Sequence, residues 1–267
     1  MLDVLLAYDV HDHLTAFLIG SARLMAFSIL APFMGSQVLG MTVRAALVVA
    51  LYLVIHPMMV EAVAGAHLTL LMTGMLIVKE IMIGFVLAWL SGMAFWAMEG
   101  AGFFIDNQRG AGQAAQNDPL TGDQSSPTGS FLMQSTFYVF FASGAFVALL
   151  ALLYSTYEMW PPLQLLSSDF FAKEGAALFF GESLAKLATS IVLISAPVVL
   201  ACLFTDIALG LINRFAPQLN VYVLAMPIKS AMASFLLIFY FAILMTDAPE
   251  RFSLFATDLS MLKAWMP

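Results

Sequence analysis

Residues 68–104 form a run of 37 positions interrupted by only three charges, Lys79, Glu80 and Glu99. As one helix it is about 55 Å long at 1.5 Å per residue, whereas the hydrocarbon core of a bilayer is about 30 Å thick. A water-soluble domain has nowhere to put such an element, and a membrane-spanning one must tilt it, break it or let it protrude. Five further apolar segments accompany it: 14–34, interrupted near its end by Pro32; 39–63, where Pro57 is expected to kink or split the helix; 128–157, closed by Trp160-Pro161-Pro162; 176–215; and 221–245, with Pro227 near its start. A C-terminal tail is expected from Asp247 onward. The expected fold class is therefore all-α, a membrane-associated helical protein.

Charge supports this class and narrows the function. Only 10% of the 267 residues are charged, against about a quarter in soluble domains, so most of the surface must face lipid or protein. The net charge is −7 and no window clusters Lys and Arg, which excludes nucleic acid as a partner. Residues 1–13 carry Asp3, Asp9 and Asp12 without Lys or Arg; lacking the basic start of a cleavable signal peptide, the first apolar segment is expected to stay in the mature protein. If all six segments cross once, Arg44, Arg109 and Arg214 fall on one side and Lys173, Arg251 and Lys263 on the other. The balance gives no orientation. The lone Cys202 cannot form an internal disulfide.

Within the third segment Gly84, Ala88 and Gly92 recur every four residues, so a second helix backbone can approach that stripe closely. The stripe suits either an internal helix contact or one with another subunit. Ionisable groups inside apolar segments are costly unless paired or wet; these are Arg23, Lys79, Glu80, Glu99, Glu182, Lys186, Asp206 and Lys229. Glu182 and Lys186 have the spacing of an intrahelical ion pair. Lys79 and Glu80 point about 100° apart on a helix and call for partners elsewhere. One reading makes Lys79, Glu80 and Asp206 the relay of a polytopic small-solute transporter; the other makes them buried pairs that fix helix register or groups that face a water-filled channel.

Catalytic and metal chemistry lack their spacings: there is no HExxH and no GxSxG, His11, Asp12 and His13 sit in an N-terminal stretch expected to fray, and His56 and His67 lie at segment ends. Gly110-Ala-Gly112-Gln-Ala-Ala115 resembles a dinucleotide fingerprint but follows a helix, not a strand. Neither a catalytic residue nor a metal nor a cofactor is expected. The informative element is the polar stretch 106–127, rich in Gln and Asn with turn formers at 117–119 and at Gly122. Connections of this length are usually functional or disordered. Uncharged amides suit a segment that lines or fills an aqueous passage at membrane depth.

Three blocks, Gly102-Phe-Phe-Ile-Asp-Asn-Gln-Arg109-Gly, Asp118-Pro-Leu-Thr-Gly122 with Ser125-Ser-Pro127, and residues 216–230 from Ala-Pro-Gln-Leu-Asn220 to Pro227-Ile-Lys229-Ser, resemble the SctT family of type III secretion systems, the YscT, SpaR, HrcT and EscT proteins related to flagellar FliR. The Glu158-Met-Trp160-Pro turn and the segment order agree, so the resemblance covers residues 1–267 as a single domain. It implies long, bent helical hairpins and no enzymatic activity. It also implies a structural and gating subunit of the export apparatus in the bacterial inner membrane, at the base of the injectisome. SctR and SctS are the implied partners in the channel, SctU the partner at its entrance, and unfolded exported proteins the cargo. The implied plug comprises Asp106, Asn107, Gln108, Arg109, Gly110, Gly112, Asp118, Pro119, Gly122, Ser125 and Ser126. Subunit packing is expected at Gly84, Ala88, Gly92, Asn220, Pro227 and Lys229.

Overall fold

The computed structural model describes residues 2–35, 38–66, 68–110, 126–165, 174–218 and 220–265. All regular structure there is helical: α1 (Leu2–Leu30), a 3-10 turn (Pro32–Met34), α2 (Met41–Ala64), α3 (Leu70–Gln108), α4 (Pro127–Ala142), α5 (Ala145–Met159), α6 (Glu174–Phe215) and α7 (Val221–Trp265). Five of these are long and apolar enough to cross a membrane, and α4 with α5 makes a sixth if that pair, bent by 75°, counts as one span. The all-α membrane class read from the sequence is the observed one. At 39, 42 and 45 residues, α3, α6 and α7 are each about twice as long as a bilayer core requires.

Local chemistry sets most boundaries and corrects several expected ones. α2 runs through Pro57 without ending. The expected fourth segment is two helices, because Gly144 between them takes φ +77°, a left-handed conformation that terminates a helix and that glycine adopts without penalty. The tail expected from Asp247 is instead the C-terminal part of α7, continuous past Pro249. Its apolar positions Ala248, Phe255 and Leu259 are buried and Phe252 is partly so, while Asp247 and Glu250 are exposed. The polar stretch also begins later than expected, since Asp106, Asn107 and Gln108 still belong to α3.

The chain folds as two compact units. Unit 1 comprises residues 1–92, 147–178 and 255–267. There α1 and α2 form a hairpin in which Tyr52 lies on Gly20, whose absent Cβ would sit 2.6 Å from the Tyr52 ring. Two tyrosine hydroxyls of α5 tie it to that hairpin: Tyr157 donates to the Gly20 carbonyl at 2.8 Å and Tyr154 to the Leu51 carbonyl at 3.0 Å. Unit 2 comprises residues 93–146 and 179–254. Its core joins Ala97, Met98 and Ala101 of α3 to Leu132 of α4, Ile194 of α6 and Leu244 of α7, with Ile105, Val198, Cys202 and Ala233 as a second cluster. The Phe95 ring meets those of Phe137, Phe140 and Phe252.

Candidate functional site

The two described ends of the polar stretch meet at one carboxylate of unit 2. α3 stops because Gly110 takes φ +79°, with the Arg109 amide still donating to the Ile105 carbonyl at 3.1 Å and that of Gly110 to Asn107 at 3.2 Å. α4 starts at Pro127, whose missing N–H is not needed in a first turn, and Ser126 caps it: its Oγ accepts from the Gly129 amide at 2.9 Å. The same hydroxyl donates to Asp106 Oδ2 at 2.6 Å, and the Thr128 amide donates to that oxygen at 3.0 Å. Asp106 is thus a second cap, its negative charge placed at the positive end of the α4 dipole. Arg109 completes the cluster, with Nη2 2.6 Å from Asp106 Oδ1 and donating to Thr128 Oγ1 at 2.9 Å.

Two glycines permit this approach. A Cβ on Gly102 would run into the backbone of Gly129, and a Cβ on Gly129 would lie 2.8 Å from the Glu99 carbonyl and from Ser126 Oγ. With α3 and α4 in backbone contact there, Asp106, at 3% exposure, reaches the first turn of α4. A buried carboxylate with two hydrogen-bond donors and a guanidinium partner is fixed in place. The cluster holds the end of α3 and the start of α4 together.

Of the other residues expected in the plug, Asn107 is exposed, Gln108 and Gly110 are half-buried, and Gly110 lies against Met226 of α7. Gly112, Asp118, Pro119, Gly122 and Ser125 lie outside the described residues. The packing residues divide. Gly84 is occupied from within the chain, since a Cβ there would overlap the Arg23 carbonyl and come within 2.8 Å of the Ala26 Cβ on α1; the internal reading of the stripe therefore holds at Gly84. Ala88 and Gly92 are buried as well. Asn220 caps α7, accepting from the Val223 amide on Oδ1 at 3.4 Å. Pro227 lies in the second turn of α7. Lys229 pairs with Asp206 of α6, 3.0 Å from Oδ1 and 3.2 Å from Oδ2.

A second ionic cluster occupies the heart of unit 1. Arg23 and Glu80, both 0% exposed, pair through two nitrogens: Nε donates to Oε2 at 2.7 Å and Nη2 to Oε1 at 3.1 Å. The guanidinium also donates to Thr156 Oγ1 at 2.9 Å and to the Trp160 carbonyl at 2.8 Å, and lies 4.1 Å from the centre of the Tyr157 ring. Lys79 Nζ donates to the carbonyls of Pro161, Pro162 and Gln164 at 2.9, 3.0 and 3.1 Å. The same ammonium is 2.6 Å from Glu80 Oε1, so the neighbouring pair does share a contact, which its flexible stem allows. Each acid of the transporter reading is thereby neutralised by a base: Glu80 by Arg23 and Lys79, Asp206 by Lys229. Among the described residues no group of three or more His, Cys, Asp or Glu side chains is placed to hold a metal ion.

Sequence reasoning missed Thr128, Gly102 and Gly129 at the loop base and did not pair Arg23 with Glu80. The order Ser126-Pro127-Thr128-Gly129, a capping serine followed by proline at the first helical position, was the available sign for the first group.

Residues 14–254 match the family of bacterial export proteins, family 1. The chain is 37% identical to Yop proteins translocation protein T of Yersinia pestis, over 90% of this chain and 91% of that protein. It is 29% identical to surface presentation of antigens protein SpaR of Salmonella typhimurium, over 96% and 94% of the two chains. To flagellar biosynthetic protein FliR of Bacillus subtilis the identity is 32%, over 66% and 67%.

Proposed function

This chain belongs to the bacterial export proteins, family 1, as an SctT-type member related to FliR, and from that premise we propose that it builds and gates the protein-conducting channel of a type III secretion export apparatus. In this reading it assembles with SctR and SctS, meets SctU at the channel entrance, and passes unfolded proteins across the bacterial inner membrane at the injectisome base. It acts as a single export domain and supplies no catalytic group. Subunit packing is assigned to Asn220, Pro227 and Lys229 at the α6–α7 turn.

The observation that carries the gating part is the tie at the loop base. Asp106 holds Ser126 and Thr128 of α4 while pairing with Arg109 at the end of α3, so residues 111–125 start and finish at one fixed point of unit 2. A restraint on a channel needs such a mount, and residues 106–126 are assigned that plug role. Membership in an export family, whose relatives include a translocation protein matched along nine-tenths of its length, supports the channel part.

Blue-native electrophoresis of the tagged chain, expressed with and without SctR and SctS, tests the reading. A high-mass species should form only when the partners are present. A stable homo-oligomer that forms without them and takes up a small solute would replace it with the transporter.

A further inference from the structure

Two histidines and a tyrosine that the export reading leaves unused meet in the half of the α1–α2 hairpin away from its turn. His13 of α1 and His56 of α2 face each other, with Nδ1 of the first 3.1 Å from Nε2 of the second, and their rings stack with centroids 5.2 Å apart. Residues 11–13, expected to fray, are helical here. The other ring nitrogen of His56, Nδ1, lies 2.7 Å from the Tyr52 hydroxyl. Tyr52 is 1% exposed, packed on Gly20 and edge-on to Phe17, so it fixes the His56 ring from the buried side. His13 is exposed and His56 half-buried. Asp9, His11 and Asp12 precede His13 and Glu61 follows His56; such a density of polar groups marks the end of the hairpin that meets water. This end also attracts cations, because residues 1–22 and 45–78 contain neither Lys nor Arg.

We propose that His13 and His56 form a binding site for a late divalent transition-metal ion, Zn²⁺ being its type, which clamps α1 to α2. Neutral imidazole is a ligand these metals favour. Two imidazole nitrogens on one tetrahedral zinc, each at about 2.0–2.1 Å, stand about 3.3 Å apart, so the observed 3.1 Å has to open by only about 0.2 Å. In the metal-bound form His56 donates its Nδ1 proton to the Tyr52 oxygen and ligates through Nε2. That outer hydrogen bond is the one that ligating histidines generally make, and it sets both tautomer and ring orientation. His13 carries its proton on Nε2 and ligates through Nδ1. In the metal-free form one proton lies between the facing nitrogens; with both rings neutral, His13 exchanges it through water as the ion enters, and no proton is released overall. Water fills the remaining coordination positions. Asp12 is turned to His11 at 3.7 Å and contributes charge, not a bond to the ion. No local ligand spacing announces this site, because its histidines are 43 positions apart.

The test uses the full chain purified in detergent without a polyhistidine tag and stripped of metal with EDTA. Calorimetric titration with Zn²⁺ should show a single ion per chain, and the melting midpoint should rise with zinc, since an ion that binds only the folded chain stabilises it. His13→Phe and His56→Phe should each weaken binding roughly tenfold or more and abolish that rise, while His11→Phe should leave both unchanged. Tyr52→Phe, which keeps the ring on Gly20, should weaken binding about tenfold through loss of the outer hydrogen bond. Should a variant fold poorly, the natural chain decides the matter: diethyl pyrocarbonate acylates unliganded imidazoles, and zinc should protect His13 and His56 but not His11. No binding by the natural chain at millimolar zinc would overturn the site. So would affinity unchanged in both His13→Phe and His56→Phe, or zinc that leaves His13 and His56 unprotected, either of which means an ion held elsewhere on the chain or adventitiously.

Discussion

Arg23 shows how little freedom a buried charge has. It lies on α1, 0% exposed, and its donors reach Glu80 on α3 and Thr156 and Trp160 at the end of α5; removing any acceptor leaves a cation without solvent. Breaking such a pair by deleting one partner typically costs about 3–5 kcal/mol, whereas replacing both by apolar groups of similar size is often neutral. Glu80→Met and Arg23→Met should therefore each lower the denaturation midpoint of the detergent-purified chain sharply, and Arg23→Met/Glu80→Met should lose clearly less than the two losses added together. A strictly additive double variant would show that the two residues do not act as a pair. The chain's charge pattern exposed all three members of this cluster as ionisable groups out of place in apolar segments. Their pairing was not legible, because Arg23 and Glu80 are 57 positions apart and the carbonyls that Lys79 meets belong to a turn whose path no local periodicity encodes.

At the scale of elements, glycine position decides which helix faces can meet. Gly74 and Gly84 lie in the same helix, yet Gly74 has open space where its Cβ would be, while at Gly84 that space holds the backbone of α1 at Arg23 and Phe27. Alanine favours an interior helical position over glycine by about 0.5–1 kcal/mol, so Gly74→Ala should raise thermal stability slightly. Gly84→Ala should lower it by about 1–3 kcal/mol, the cost of overpacking against atoms that cannot move aside. The two shifts should have opposite signs in one differential scanning experiment; equal signs would refute close packing at Gly84. Gly144, at φ +77°, gives a third case: Gly144→Ala should cost about 1–2 kcal/mol, through backbone strain alone. The helices themselves were legible as long apolar runs. The break at Gly144 was not, because residues 128–157 contain neither proline nor charge before Glu158 and a lone glycine is tolerated in many helices. Nor was the end of α7, where Asp247, Glu250 and Arg251 read as a tail although Ala248, Phe252, Phe255 and Leu259 keep the spacing of one helix face.

Across the whole molecule, the stretch matched to the export family, residues 14–254, includes residues of both compact units, so the loop mount in unit 2 and the ionic cluster in unit 1 both lie within the matched range. These two clusters should nevertheless fail differently. Loss of Glu80 acts on the packing of α1, α3 and α5, and so on the amount of complex that forms. Loss of Asp106 acts first on the two ends of the polar stretch, because the α3–α4 contact at Gly102 and Gly129 and the apolar core around Met98, Ala101 and Leu132 do not depend on its carboxylate. Under the proposed plug role, Asp106→Ala should raise leakage of ions or small molecules in cells carrying assembled complexes, with complex yield near normal. Asp106→Asn, which retains an acceptor for Ser126 and the Thr128 amide but loses the charge that holds Arg109, should leak less than Asp106→Ala. Shortening the stretch by residues 113–116 should leak as well, because it alters the restraint while sparing its mount. Unchanged leakage with normal assembly in all three variants would make the stretch a passive surface connection. Lost assembly in Asp106→Ala, coupled with normal assembly in the shortened chain, would make Asp106 a scaffold residue whose capping of α4 is its whole role.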